Sequence, residues 1–375
     1  MSCSCRKPLL GAALVLAVSL RLAGADAEPE KTALAVEALS RLQGMDLNAN
    51  PKLKQTVLKV LQRTRGTPSF VKLVQQFNLT GQNAGLLEVV VAQPASESGV
   101  EAMRLILASG DTALVATTLA GTNALEATRA AEALGYTGDK QAVKLLLPVV
   151  TEPTREVALR KQAVRSLARI SEGAHELLNL AKEEKLAAAL KFTAHAELDQ
   201  VRWPEIKAAA ALLLPAAPGF NAQPLPPVAE LLRMKGDVVN GSRLFTNASP
   251  GCVNCHVIHG RGTEFGPNLS EIGTKLGKDA ILESILEPSA GISFGFEAFN
   301  FSLRNGDEVY GLLASETAEE VMVKSVGGII TRLKKDQIVS RQQSKVSIMP
   351  AGLPAALTPQ ELMDLVEYLA SLKKP

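Results

Sequence analysis

Cys252-Val253-Asn254-Cys255-His256 is the stretch from which this 375-residue chain is best read. Two thiols three residues apart, with a histidine directly after the second, form a covalent attachment signature for a c-type haem. Each thiol can add across a vinyl group to give a thioether, and one turn of chain between them matches the separation of the two vinyls. The histidine that follows then lies under the porphyrin plane, where its imidazole can bind iron. Rival uses of a CxxC need partners that the sequence lacks. A zinc ribbon wants a second cysteine pair, and the only other thiols are Cys3 and Cys5. A dithiol redox site wants a thioredoxin-like βαβ pattern nearby, and none is evident. A Cys252–Cys255 disulfide would close a very small loop under strain.

The composition sets the frame around that motif. Apolar residues make up 46% of the chain but aromatics only 4%, so the core is built from Ala, Leu and Val, which favours helices over an all-β fold. The formal charge of +2 divides into +2 before residue 28, +3 over residues 28–235 and −3 over residues 236–375. Nothing in that distribution is a nucleic-acid footprint.

Residues 1–27 read as an export signal. Arg6 and Lys7 precede an apolar run from Leu9 to Leu20, and Ala23-Gly24-Ala25 or Ala25-Asp26-Ala27 suits cleavage. The run is short for a membrane span and Arg21 interrupts its far end. No later segment reads as transmembrane. The expected location is the periplasm or an equivalent compartment outside the cytoplasmic membrane, where covalent haem attachment takes place in bacteria.

Residues 28–214 are helical in pattern. Leu34, Ala38 and Leu42 recur at four-residue spacing. Pro51 and Pro68 open further helices, carrying Leu53, Val57, Val60 and Leu61 in the first and Phe70, Val71, Leu73 and Val74 in the second. Ala130–Leu134 is answered 33 residues later by Ala163–Leu167, each followed by a polar turn and a second leucine-rich helix, and a third copy lies around Ile206–Leu214. That period points to a HEAT-like α-solenoid. Small alanines would let paired helices approach closely; an irregular helical bundle is the plainer alternative. His175 and His195 stand alone and read as surface or structural histidines, and Trp203 as a packing residue. A solenoid's usual use is a surface for a partner.

Pro215, Pro218, Pro224, Pro226 and Pro227 mark residues 215–235 as a proline-rich linker ending in a short helix at Val228–Met234. Beyond it, residues 236–375 carry Gly241, Leu244-Phe245, the CxxCH, Gly266-Pro267-Asn268-Leu269 and the run Leu357–Leu369. In that run Thr358, Pro359 and Glu361 form a helix start with a capping box. Together these resemble the class I cytochrome c fold, whose N- and C-terminal helices cross beside the haem. A closer resemblance, over residues 236–373, is to the haem-binding domain family named for planctomycetes and verrucomicrobia. It is carried by the CxxCH, Gly266–Leu269, Leu282–Ser289 and Ser344–Pro350.

The resemblance implies one covalently attached haem c with His256 as proximal iron ligand. It places the second, thioether ligand at Met349, and it implies that the Pro267 carbonyl accepts the other imidazole N–H of His256. Met322 and Met363 are rivals to Met349, but one lies in a strand pattern and the other in a helix, where methionine usually packs. Met349 follows His256 by 93 positions, and residues 297–343 account for the distance. They switch to two-residue alternation with turns at Asn305-Gly306 and Gly327-Gly328, as expected of a small β-barrel-like insertion. Its use is structural, or it covers the haem edge or docks a partner.

Three functions fit these features. A His/Met-ligated haem fills both axial positions and carries electrons. The chain is then a carrier rather than an enzyme in its own right, with a redox protein, possible dehydrogenases among them, docked on the helices. Dehydrogenase-like domains are fused to this haem domain in related sequences. The second is a gas or redox sensor, or a haem enzyme, which needs an open sixth site. The third is a structural helical-repeat protein whose haem is incidental.

Overall fold

The computed structural model describes residues 30–42, 45, 47–214, 225–247 and 251–374. The expected export signal, Cys3 and Cys5, and the linker prolines from Pro215 to Pro224 lie outside these residues. The described chain is mainly helical, with a small antiparallel sheet in its C-terminal part. No single helix among the described residues is long and apolar enough to cross a membrane.

Residues 30–40 are helical. Then come α1 (Pro51–Arg63), α2 (Pro68–Gln76), α3 (Asn83–Ala92), α4 (Glu97–Ala108), α5 (Thr112–Ala120), α6 (Ala124–Thr137), α7 (Gln141–Thr151), α8 (Val157–Ala168), α9 (Ser171–Lys182), α10 (Ala188–Leu198) and α11 (Pro204–Leu213). Pro51 and Pro68 stand at first-turn positions, and Asn50 caps α1 by accepting from the Leu53 amide. In the helix over 30–40, the buried contacts come from Ala35, Val36, Leu39 and Leu42, while Leu34 is exposed. Of the four-residue series Leu34, Ala38 and Leu42, only Leu42 joins the packed side, and Leu34 and Ala38 are exposed. Helices α3 and α5 leave little periodic trace: α3 reads Leu86-Leu87-Glu88-Val89-Val90-Val91, apolar almost all round, and β-branched.

The helices pack in two alternating rows. α4 lies on α6, α6 on α8 and α8 on α10, while α5 lies on α7, α7 on α9 and α9 on α11. The two copies of the internal repeat meet face to face in the first row. A β-carbon at Gly135 of α6 would come within 2.6 Å of the Ser166 β-carbon of α8, and the buried Ser166 hydroxyl donates to the Ala131 carbonyl at 2.7 Å. Small residues at this crossing allow near-backbone contact, so Leu134, Leu146, Leu167, Leu177 and Leu190 are all fully buried around it. Each such leucine contributes about 1.5–3 kcal/mol relative to exposure.

After Leu225, α12 is a single turn (Val228–Leu231), shorter than the helix expected through Met234. α13 (Val238–Thr246), α14 (Ile272–Lys275), α15 (Lys278–Leu286) and α16 (Pro359–Ser371) build a second core. Between α15 and α16 five antiparallel strands form a sheet: β3 (Ala298–Leu303), β4 (Glu308–Glu316), β5 (Glu320–Ser325), β6 (Ile329–Lys334) and β7 (Ile338–Gln343). A two-stranded ribbon, β1 (Val257–Ile258) and β2 (Arg261–Gly262), precedes them. The sheet order is β6-β5-β4-β3-β7, so its outer strands do not pair with each other and the sheet is open rather than barrel-like. Gly306, Gly327 and Gly328 sit at positive φ in the two hairpin turns. β7 escaped detection because all of its side chains except the half-buried Ile338 are exposed, which erases the alternation.

The sheet rests on the helical array. Arg104 of α4 donates to Thr331 Oγ1 of β6 at 2.9 Å, and Arg202, before α11, pairs with Glu308 of β4 at 2.8 Å. Gly138 ends α6 in the left-handed conformation and leaves room for the Glu308 carbonyl, which would lie 3.0 Å from a β-carbon there.

α13 and α16 cross at contact distance. A β-carbon at Gly241 would meet the Asp364 carbonyl oxygen at 2.0 Å. The Asp364 side chain, 4% exposed, accepts from the Asp237 amide, Asn240 Nδ2 and Gln360 Nε2, each at 2.8 Å. Burial opposes its charge, but the hydrogen bonds from Asn240, Gln360 and Asp237 outweigh that and hold the carboxyl below its ordinary value. A carboxyl with a depressed folded-state pKa contributes stability that is full above the unfolded value of about 4 and is lost as pH falls through the folded value. Asp364→Ala leaves buried donors without an acceptor and should cost about 2–3 kcal/mol in urea unfolding at pH 7. Asp364→Asn should flatten the acid limb of the stability curve below about pH 4.

Candidate functional site

The attachment motif forms a turn of 3-10 helix, Cys252–Asn254, entered through Gly251 at a φ of 78°. The turn ends at Cys255, whose φ of −127° departs from helical geometry, so the two thiols bracket one turn without eclipsing, and His256 follows directly. The amides of Cys255 and His256 both donate to the Cys252 carbonyl, at 3.1 and 3.0 Å.

The segment after the motif is laced back onto it through backbone bonds. His259, at a φ of 48°, and Gly260 turn the chain so that β2 pairs with β1. Thr263 N then donates to Val253 O, Phe265 N and Gly266 N to Cys255 O, and Leu269 N to Val257 O. This lacing sets Gly266 and Pro267 against the imidazole. The Pro267 carbonyl lies 2.8 Å from His256 Nδ1. A β-carbon at Gly266 would come within 2.6 Å of His256 Cε1, so only glycine leaves the ring its place. His259 itself is exposed, its amide donating to Ser270 Oγ.

A cavity opens on this assembly. Its helical walls are Phe245 of α13, Ile285 of α15 and Leu365 and Leu369 of α16. Cys252, His256 and Leu269 line it from the attachment loop, and Met349, Leu353 and Leu357 from the segment leading into α16. Met349 and His256 therefore share one cavity although 93 positions separate them. Cys255 is not on its lining; it packs with Tyr310, Phe296 and Ile348 against Phe265, Ala298 and Leu312. Met363 is buried in the helical core and Met322 lies in β5, both away from the cavity lining. The lining helices offered a sequence signal, since Leu365 and Leu369 stand one turn apart on α16. Ile285, in a helix of mixed pattern, offered none.

Electrostatics distinguish this thiol pair from a redox dithiol. Burial pushes the Cys252 thiol up to about 11, with a smaller upward push from the neighbouring Cys255, against a lowering hydrogen bond within its own residue. Burial likewise raises Cys255. A reactive dithiol needs the opposite, a depressed pKa. Burial lowers His256, partly offset by the hydrogen bond to Pro267, so the imidazole is held neutral, the form that binds metals. Both thiols are free.

These residues fit a covalently held haem. Two protonated thiols stand on one turn, and a neutral imidazole has Nδ1 engaged and Nε2 available. A glycine keeps space for the ring, and the only other Lewis base on the apolar lining is the Met349 thioether.

None of the curated proteins compared with this chain matches it. The family model for Cytochrome c matches residues 238–306, from the start of α13 through the attachment motif and α15 to the β3–β4 turn, and ends before Met349 and α16. Residues 238–306 thus carry a cytochrome c-like, haem-binding domain of the electron-transfer type, and haem c is the cofactor that this family implies.

Proposed function

We propose that this chain is an exported c-type cytochrome with a single haem, an electron carrier whose helical array docks a separate redox protein. The observation that carries the reading is the shared cavity of Cys252, His256 and Met349. In this reading Cys252 and Cys255 would hold the haem through thioethers, and the His256 imidazole and Met349 thioether would bind its iron. Haem c, when bound, supplies a one-electron ferric–ferrous couple, and a His/Met pair raises its potential relative to histidine alone.

The chain's own groups do the rest. The Pro267 carbonyl accepts the Nδ1 proton of His256, fixing the tautomer and leaving the Nε2 lone pair for iron. Phe245, Ile285, Leu365 and Leu369 keep water from the cavity. Among its lining residues there is no carboxylate and no depressed thiol to act as acid, base or nucleophile, which favours carriage over catalysis.

The single CxxCH in the sequence supports one haem. The alternating rows from α4 to α11 support reading residues 28–214 as a HEAT-like solenoid, whose extended surface suits a dehydrogenase-type donor. The charged and apolar segments of residues 1–27 support export to the periplasm or its equivalent. Deleting residues 28–214 should abolish capture of the redox partner; capture that survives the deletion removes the docking role.

An optical spectrum of the haem-loaded, reduced protein before and after carbon monoxide tests the ligation. A low-spin spectrum unchanged by the gas is the expected result; a clear shift would mean an open sixth site and a sensor or enzyme instead. Met349→Ala should admit carbon monoxide and lower the midpoint potential. Gly266→Ala should displace the imidazole from the Pro267 carbonyl and reduce the covalently bound haem per chain, read from the pyridine haemochrome spectrum against protein concentration.

A further inference from the structure

We infer that Arg202, at the end of the helical array, is a positioning residue for Met349, acting through the five-stranded sheet. This inference rests on Met349 being the axial ligand.

The contacts run in an unbroken line from the helices to the cavity. The Arg202 side chain is 19% exposed, and its Nη2 donates to Glu308 Oε2 at 2.8 Å and to Asn300 Oδ1 at 3.3 Å. Its guanidinium carbon lies 4.3 Å from the Trp203 ring centre and 4.7 Å from that of Tyr310. Trp203 packs on the helical core. Tyr310 packs into the cluster of Phe265, Ala298 and Leu312, which also holds Cys255 and Ile348. Cys255 belongs to the attachment turn, and Ile348 directly precedes Met349. One patch of the sheet thus touches both segments that reach the cavity, and Arg202 grips that patch from the array.

The Met349 segment depends on this grip because it has little structure of its own. Residues 344–350 form neither helix nor strand. Their fixed points are Ser344 N on Ala298 O of β3 at 2.8 Å, Ser347 N on Ser289 Oγ at 3.1 Å, Ile348 in the Tyr310 cluster, and Met349 packed on the second helical core. Two of the four lie on the sheet. Arg104 on Thr331 at 2.9 Å ties β6 to the array, three strands away from β3 in the sheet order, and Gly138 meets the Glu308 backbone at the start of β4, while the side-chain grip on Asn300 of β3 and Tyr310 of β4 is that of Arg202. Removing Arg202 takes away the cation between two aromatic rings and strands a half-buried Glu308, freeing β3 and β4 to shift with the Met349 segment.

The test uses the full chain with haem attached, comparing wild type, Arg202→Ala, the exchange Arg202→Glu with Glu308→Arg, and Met349→Ala. Two readouts report the sixth ligand: the sulfur-to-iron charge-transfer band of the ferric protein, and carbon monoxide binding by the reduced protein at sub-saturating gas. Arg202→Ala should weaken the band and raise carbon monoxide affinity by about ten-fold, with covalent haem content and far-UV circular dichroism unchanged. The exchange should recover most of both. If Arg202→Ala matches wild type while Met349→Ala loses the band, the positioning role is wrong and the ligand assignment stands. If Met349→Ala also matches wild type, the ligand assignment fails and the positioning role falls with it. Should Arg202→Ala not fold, Glu308→Gln, which removes only the charge, is judged by the same two readouts.

Discussion

The close crossing of α13 and α16 is the constraint on which the cavity depends. Gly241 lets the two backbones approach until a β-carbon would strike the Asp364 carbonyl, and the Asp364 carboxylate binds donors from both sides of the crossing. This brings Phe245 and Leu365 onto one apolar wall. A larger residue at 241 would separate the helices and open the cavity to water. Burial raises both thiols, Cys252 on the cavity and Cys255 against the sheet, and lowers the His256 imidazole.

The second organising feature is the lacing of residues 263–269 onto the attachment turn. Four backbone amides of this irregular segment are fixed by hydrogen bonds to Val253, Cys255 and Val257. Irregular backbone pays its ordering entropy only where such bonds are numerous, and here they converge on the imidazole. Rigidity is concentrated on the His256 side of the cavity. The Met349 side is held by few contacts, shared between the sheet and the second helical core. That asymmetry is why the sheet and its grip on the helical array matter to the site rather than to the fold alone.

Much of the architecture could be read from residues. The capping box at Thr358 appears with both of its bonds, Glu361 N to Thr358 Oγ1 and Thr358 N to Glu361 Oε2. The alternation after residue 297 and the turns at Asn305-Gly306 and Gly327-Gly328 marked a sheet, because half-buried strands expose a period of two. The 33-residue echo between Ala130 and Ala163 marked two helices that lie directly on each other. Helices α3 and α5 and strand β7 show little period for opposite reasons: the helices are too uniformly apolar, and the strand is too uniformly exposed.

The sequence by itself determined the attachment motif, since CxxCH depends on residues adjacent in the chain and a local turn is enough to present them. It also determined the helix starts, the hairpin turns and the apolar content of the two cores. The tertiary structure alone decided that His256 and Met349 share a cavity, that Cys255 faces the sheet while Cys252 faces the cavity, and that Arg202 reaches Glu308 and Tyr310 across about a hundred residues of chain. Those relations are set by packing between segments distant in sequence. Hydrophobic burial is non-directional, so composition and period say that such segments are buried without saying which of them meet.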